Sequence, residues 1–406
     1  CGGIFRQTIL TSRMGSQSLS ELLSRYRTGH SPEQAFYTDA GVFSEEMNKI
    51  HRRQWLYAGP VARIPTPGDY FLFNLQEESV IIIRGDKGEI HAHYNTCTHR
   101  GSAICLEPEG HVQKLMCPYH QWVFNRNGSL LAARMMPDDF KKDDHHLRAV
   151  AVEVVEGLIF ICLSSSPPDF KSIRERLTTY LRPFGLASAK VALVKPYRLR
   201  TNWKLVAENF RECYHCGGAH PEYCSAVIGA NLKEDVTTIT AEKAATWSSK
   251  GLETKLFEVT PGTTTYAVRY PLRPGVESYS TDGKAVSVPM GDHRDHDAGV
   301  VGLVNYPNFW MDGVSDYVWI MRVDPVSASE TITEFCWLVA GNAVEGKDYD
   351  LARLTEFWEK TGEQDARLCE NNYRGILTSG YRSGPYAPSE DQVVNFVEWW
   401  IDQLRS

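Results

Sequence analysis

Two short pairs of metal-binding side chains, Cys97-Thr98-His99 and Cys117-Pro118-Tyr119-His120, sit in CTHRGSAICLEPEGHVQKLMCPYHQW with seventeen residues between them. Two thiolates and two imidazoles in this pattern can close a tetrahedral zinc site. They can also hold a [2Fe–2S] unit, cysteines on one iron and histidines on the other, which accepts one electron and passes it on. A second constellation follows about a hundred residues later, in NWKLVAENFRECYHCGGAHPEY, where His215 and His220 stand five apart. Two imidazoles plus a carboxylate from elsewhere form the facial donor set of mononuclear non-haem iron(II), with positions left open. Five residues on a regular helix would turn the two rings apart. The sequence therefore predicts a helix from Asn202 to about Cys216 that ends at Gly217 and Gly218 and swings His220 back toward His215.

The elements that must position these residues divide the chain. Residues 17–55 read as helical: SLSELLSRYR and SEEMNKIHRRQWLY carry apolar residues at three- and four-residue spacing, with a helix start expected at Ser44-Glu45-Glu46. From about 60 to 165 the runs YFLFNLQ, SVIIIRG, IHAHYNT, QWVFNRNGSLL and AVEVVEGLIFICL are short and β-like, separated by Gly, Asn and Asp turns. SSSPPDF reads as a linker, and KSIRERLTTYLRPFG after it as helical. The rest mixes an irregular stretch over 217–300, strand-like DYVWIMRVDP and TITEFCWLVAG, and a long helix from about Asp348 to Tyr373. The expected organisation is an N-terminal segment over 1–54, an all-β domain over 55–166 and a mixed domain over 167–406, an α+β fold class.

Composition narrows the function. A chain of 406 residues exceeds one small core. The net charge of −7, without basic blocks, argues against a nucleic-acid partner. No run approaches eighteen uninterrupted apolar residues, so no membrane span is expected. Ten cysteines are too few for a disulfide scaffold. Cys105, Cys162, Cys336 and Cys369 read as packing residues, Cys213 and Cys216 as structural, and the compartment as reduced and cytoplasmic. His91, His93 and His111 read as exposed strand or turn residues. The sequence opens on Cys1, Met14 heads a polar stretch, and residues 1–13 are too short and too polar for a secretory signal.

Zinc knuckles rarely bring a β domain of this size, and each Cys/His pair falls in a tight loop of that domain. The spacing C-x-H-x17-C-x-x-H in this context resembles the Rieske family. With ECYHCGGAH following, the chain from about residue 35 to its end resembles the α subunit of Rieske non-haem iron oxygenases. The resemblance implies an all-β Rieske [2Fe–2S] domain and a catalytic domain whose antiparallel sheet is flanked by helices, of the helix-grip type. It implies Cys97, His99, Cys117 and His120 as cluster ligands. It implies His215, His220 and an aspartate on a C-terminal helix as iron ligands; in TGEQDARLCENNYRGI that aspartate is Asp365, with Glu363 as the substitute. Most members carry an aspartate three residues before the first iron-binding histidine, where this chain has Glu212. Glutamate there resembles the carnitine, glycine betaine and proline betaine branch, as do AVEGKDYD and SGPYAP. By that resemblance Glu212 links a cluster histidine of the adjacent subunit to His215, in a head-to-tail homotrimer.

The implied activity uses O2 and cluster electrons to hydroxylate an N-methyl group of a small quaternary ammonium compound, glycine betaine or proline betaine first. The hydroxymethyl product then collapses to formaldehyde and the demethylated amine. A quaternary nitrogen has no lone pair, which leaves the C–H bond as the point of attack. Tyr306, Phe309, Trp310, Tyr317, Trp319, Trp337 and Tyr373 offer aromatic faces for such a cation. Two alternatives stand beside this reading: a ring-hydroxylating dioxygenase acting on an aromatic acid, and a Rieske electron carrier with a degenerate second domain. The chain has no Rossmann fingerprint or flavin motif, so NAD(P)H is expected to act through a separate flavin and iron–sulfur reductase.

Overall fold

The computed structural model describes residues 18–230, 235–257 and 262–406; the opening stretch with Met14 lies outside them. Helix α1 (Leu19–Arg25) starts at a capping box between Ser18 and Glu21. After α2 (Gln34–Thr38), α3 (Ala40–Glu46) starts at Asp39, whose carboxylate accepts the N–H groups of Gly41 and Val42. Ser44, the expected start, lies inside this helix, because Asp39 satisfies the free amides one turn earlier.

The strands that follow are β1 (Leu56–Pro60), β2 (Asp69–Leu75), β3 (Glu78–Arg84), β4 (Ile90–Tyr94), β5 (Glu109–His111), β6 (Leu115–Met116), β7 (Val123–Phe124), β8 (Leu130–Ala132), β9 (Ala151–Val155) and β10 (Leu158–Cys162). They form three small sheets, ordered β1-β10-β9, β4-β3-β2-β5 and β6-β7-β8. Strand β3 is apolar on both faces for a reason. Val80 and Ile82 point into the large core, while Ile81 and Ile83 point into a smaller one beneath the cysteine loops. His93 departs from expectation: it is buried, its Nε2 meets the Arg126 carbonyl at 3.0 Å, and burial lowers its pKa to about 4. His91 is half-buried beside Glu89, and exposed His111 pairs with Asp69.

Beyond the linker come α4 (Lys171–Leu181), β11 (Lys190–Leu199), α5 (Trp203–Asn209), α6 (Cys216–Ala219), α7 (Pro221–Ala226) and α8 (Val236–Ser249). Strands β12 (Thr265–Tyr270), β13 (Val300–Asn305), β14 (Phe309–Gly313), β15 (Tyr317–Ser327) and β16 (Glu330–Val339) precede α9 (Leu351–Ile376) and α10 (Asp391–Arg405). The six strands β11-β16-β15-β14-β13-β12 make one antiparallel sheet flanked by helices, an α+β fold. Helix α8 and strand β12 occupy a stretch the sequence reads as irregular. Trp247 is the one buried residue of α8, so it lacks the apolar stripe that announces a helix.

Two polar clamps tie these layers together. Lys204 Nζ lies 2.6 Å from Glu46 Oε1, fully buried, and the indole N–H groups of Trp203 and Trp400 donate to the same carboxylate at 2.9 Å. Arg63, just after β1, and Arg322 on β15 each lie 3.2 Å from Glu334 on β16, and Arg322 also donates to the Ala58 carbonyl. No helix among the described residues is long and apolar enough to cross a membrane.

Candidate metal centres and substrate cavity

The two cysteine loops are closed in the same way. Cys97 N–H donates to Ser102 O and Gly101 N–H to Cys97 O, each at 2.9 Å; Cys117 N–H donates to Trp122 O and Gln121 N–H to Cys117 O, at 2.9 and 3.0 Å. The fourth residue after each cysteine takes positive φ, 78° at Gly101 and 58° at Gln121. Each loop thus points its own amides at its sulfur: those of His99 and Arg100 at Cys97, those of Tyr119 and His120 at Cys117. The loops bring His99 and His120 together, ring centroids 4.5 Å apart, with His99 stacked 4.8 Å from Trp122. His99 Nδ1 is buried without a hydrogen-bond partner. Two buried sulfurs, amides aimed at them and an orphaned imidazole nitrogen fit a cluster with mixed ligation.

The second site is built around a broken helix. Asn202 caps α5, but α5 ends at Asn209 rather than running to Cys216. The turn after it is held by Glu212, whose carboxylate accepts from the Tyr214 N–H, from the His215 N–H at 3.2 Å and from His215 Nδ1 at 2.5 Å. Gly217 and Gly218 lie inside α6 without positive φ, so they are not what turns the chain. Pro221 is. At the first position of α7 it excludes the residue before it from helical geometry, and His220 adopts φ −126°, ψ 74°. Asp365 arrives from α9, whose buried stripe runs Leu354, Trp358, Thr361, Asp365, Cys369, Tyr373.

Three donor atoms converge here. His220 Nε2 lies 3.1 Å from His215 Nε2 and 3.0 Å from Asp365 Oδ1, and His215 Nε2 lies 3.4 Å from the same oxygen. The Nδ1 atom of each ring faces an acceptor, Glu212 Oε1 for His215 and Gln364 Oε1, at 2.7 Å, for His220. Each Nδ1 therefore carries the proton and each Nε2 a lone pair. Lone pairs from two imidazoles and a carboxylate pointing at one another repel unless a cation sits among them, which fits one metal ion. In the metal-free protein a proton plays that part: burial opposes charge on His215, but its bonds to Asp365 and Glu212 win and raise its pKa to about 9, so a metal binding at Nε2 displaces that proton. Burial likewise works against Asp365, whose pKa the two histidines nevertheless hold low. Glu363 points to solvent, paired with Arg367. Cys216 Sγ lies 4.0 Å from His215 Nε2, but it is joined to Cys213 in a disulfide and offers no thiolate, a structural pair that is oxidised in a chain whose cysteine usage reads as reduced.

A cavity of about 630 Å3 opens from His215, His220 and Asp365. Its aromatic wall includes Tyr223, Tyr266, Tyr270, Tyr306, Trp310 and Trp358, and Arg176, Arg211 and Asp312 also line it. Of the aromatic residues singled out in the sequence, Tyr306 and Trp310 reach the cavity; Phe309, Tyr317, Trp319 and Trp337 fill the core, and Tyr373 packs against Tyr37 and Leu205. A second cavity of about 340 Å3 lies across the turn, and Asn209, Glu212 and His215 face both.

Residues 54–150 match the Rieske [2Fe-2S] domain, and residues 186–406 match the ring hydroxylating alpha subunit (catalytic domain). The chain is 37% identical to the glycine betaine monooxygenase oxygenase subunit of Pseudomonas aeruginosa, over 91% of this chain and 88% of that one. It is 36% identical to the subunit of the same name from Chromohalobacter salexigens, over 95% and 88%. The chain belongs to the Rieske non-haem iron oxygenases. The fold agrees: the crystal structure of the quaternary ammonium Rieske monooxygenase CntA in complex with an inhibitor superposes with TM-score 0.73 at 22% identity, covering 96% of this chain and 99% of that one. This oxygenase is thus an iron-dependent oxidoreductase, and its cofactors are a Rieske [2Fe–2S] cluster and a mononuclear iron. Family membership sets aside the electron-carrier alternative.

Sequence reasoning missed Asp312, Tyr223 and Tyr270 in the oxygenase cavity. One signal was available for the first. Along β14, FWMDG alternates, with Phe309 and Met311 in the core and Trp310 and Asp312 on the cavity face.

Proposed function

We propose that this oxygenase demethylates a small betaine, glycine betaine or proline betaine, by hydroxylating one N-methyl group. The observation that carries this reading is the cavity itself, in which convergent imidazole and carboxylate donors meet an aromatic wall with both signs of charge. The 37% identity to a glycine betaine monooxygenase subunit supports the same choice.

In this reading Cys97, His99, Cys117 and His120 hold the cluster, and His215, His220 and Asp365 hold the iron. When bound, the cluster supplies single electrons and the iron activates O2. The residues of the chain do the rest. Glu212 and Gln364 hold the protons on His215 Nδ1 and His220 Nδ1, which keeps both Nε2 lone pairs on the metal side. Aromatic faces bind the methylated cation without offering it hydrogen bonds, at about 0.5–2 kcal/mol per desolvated contact. Arg176 and Arg211 supply positive charge for the betaine carboxylate. The Arg211 guanidinium is held 4.4 Å from the ring centres of both Tyr306 and Phe396. One oxygen atom of O2 enters the C–H bond and the other leaves as water, using two electrons and two protons. The N-hydroxymethyl group then breaks its C–N bond, giving formaldehyde, a proton and the tertiary amine.

Glu212 faces the second cavity as well as His215, which supports its role as the electron bridge to a cluster histidine of the adjacent subunit in a head-to-tail homotrimer. The electrons come from a separate NAD(P)H-dependent flavin and iron–sulfur reductase, and the system works in the cytoplasm. Formaldehyde release over carnitine, choline, glycine betaine and proline betaine, with a compatible reductase, tests the reading. Formaldehyde from either of the last two is the expected result. A cis-diol from an aromatic acid, with none from the betaines, would overturn it.

A further inference from the structure

Asp312 is buried in the cavity wall, yet no cationic side chain among the described residues pairs with it. Its two oxygens are held by neutral donors, Trp310 Nε1 at 2.9 Å and the Tyr270 hydroxyl at 3.1 Å. Because Tyr270 spends its proton on Asp312, its oxygen accepts from the Tyr279 hydroxyl at 2.8 Å, and Tyr279 stacks on Phe357 and meets Trp358 edge-on. Burying a carboxylate without a counter-ion is costly, and a protein that wanted only to satisfy an indole and a phenol could use a neutral acceptor. The carboxylate lines the same cavity as His215, His220 and Asp365. Tyr223, which feels the charge of both Asp312 and Asp365, lies with its ring 6.3 Å from that of His220.

We infer that Asp312 is the specificity-determining counter-ion of the substrate, its negative charge selecting a methylated cation and drawing the N-methyl groups toward His220. This rests on the betaine reading above and adds to it the residue that reads the charge. A trimethylammonium group has no N–H, so it asks for charge and apolar contact rather than for free lone pairs. Asp312 offers that: its oxygens stay fixed by Trp310 and Tyr270 while its negative charge sits in the wall of the aromatic-lined cavity. A primary ammonium would shed its water here and find too few acceptors, so the wall favours the methylated substrate over the amine left after full demethylation.

The test compares glycine betaine with the anion of tert-butylacetic acid, the same shape with carbon in place of the charged nitrogen. Both are titrated calorimetrically, without O2 or reductase, into the cluster- and iron-loaded enzyme. Native protein is expected to prefer the betaine by about 100-fold, the scale of one ion pair at a few ångströms in a protein-like dielectric. Asp312→Asn should collapse that preference to a few-fold while binding the neutral-headed anion as well as before, with cluster absorption and iron content unchanged. A preference kept in Asp312→Asn overturns the inference, and so does native protein that binds both compounds alike, a result that needs no variant to fold. Formaldehyde release by native enzyme separates the two levels. If betaine is demethylated but the preference survives in the variant, Asp312 alone has been misread. If betaine is neither bound nor demethylated, the substrate reading falls and the counter-ion role with it.

Discussion

In the proposed assignment the cysteine loops gather four cluster donors from residues 97–120, and main-chain hydrogen bonds close each loop around its sulfur. The proposed iron site gathers three from residues 215, 220 and 365, and it is side chains, Glu212 and Gln364, that aim the rings. One cage is local and made of backbone; the other is assembled across the fold and made of carboxylate and amide contacts. Backbone cages tolerate side-chain change near them, whereas a site drawn from two distant helices depends on every residue that orients it. The two centres should therefore fail separately.

The largest expected effect makes that division visible. His215→Ala should abolish turnover and remove the single iron while the visible absorption of the cluster stays intact. Metal analysis alongside the spectrum checks it, and bleaching of the cluster would mean the two sites are wrongly assigned. Next in size, Gln364→Ala frees His220 Nδ1, which the side-chain oxygen now meets at 2.7 Å while the amide nitrogen donates to Glu222 at 3.2 Å. Loss of such an orienting contact lowers metal affinity about 10–100-fold. Iron titration of the cluster-loaded protein should find that loss with no change in the cluster.

Charge separates the regions as well. Burial raises the pKa of Asp312 to about 6, against the hydrogen bonds from Trp310 and Tyr270. A permanent cation binds the ionised form, so affinity for glycine betaine is complete above that value and falls as the pH drops through it, by up to about tenfold per unit. The groups around Asp312 are Trp310 and the phenols of Tyr270, Tyr279, Tyr223 and Tyr317, which burial raises far above pH 6, while His215 and His220 across the cavity are the proposed iron ligands and are held by the metal in the loaded enzyme. Calorimetric titrations between pH 5 and 8 should show this slope, and Asp312→Asn should flatten it.

The same contrast explains what the sequence reveals. The cluster ligands are legible because each pair and its loop are contiguous, so spacing alone narrows the chemistry. Asp365 needed the family resemblance: in TGEQDARLCENN it stands near Glu363 and Glu370, and nothing in type or distance separates them. Helix phase does. Counting from Leu354 through Trp358 and Thr361, the buried stripe reaches Asp365 and misses Glu363, which is how the structure places them. The break at His220 was also readable, from Pro221 rather than from the glycines. The alternation in FWMDG puts Asp312 on one face with Trp310, but type and spacing alone do not say what that face meets until the opposite wall is known. Helix α8 stayed hidden for want of an apolar face.

The smallest effect sharpens the comparison from the cluster side. Ser102 favours the charged form of Cys117, one of the few influences on that sulfur from a side chain rather than from the loop backbone; its hydroxyl donates to the Ala103 carbonyl at 3.1 Å here and is free to rotate toward the sulfur of a bound cluster. A donor to sulfur stabilises the reduced cluster, which carries more negative charge, and so raises the potential. Ser102→Ala removes one hydrogen bond of about 1 kcal/mol, which for a one-electron couple lowers the potential by roughly 40 mV. The backbone bonds that close both loops remain, so the cluster should stay bound and both irons of the pair retained. Protein-film voltammetry or a dye-coupled redox titration reads the shift, and turnover should slow only several-fold, because a cluster of lower potential is harder for the reductase to reduce. Loss of the cluster in this variant would show that the cage depends on side chains after all, and the contrast between a backbone-built centre and a side-chain-built one would collapse.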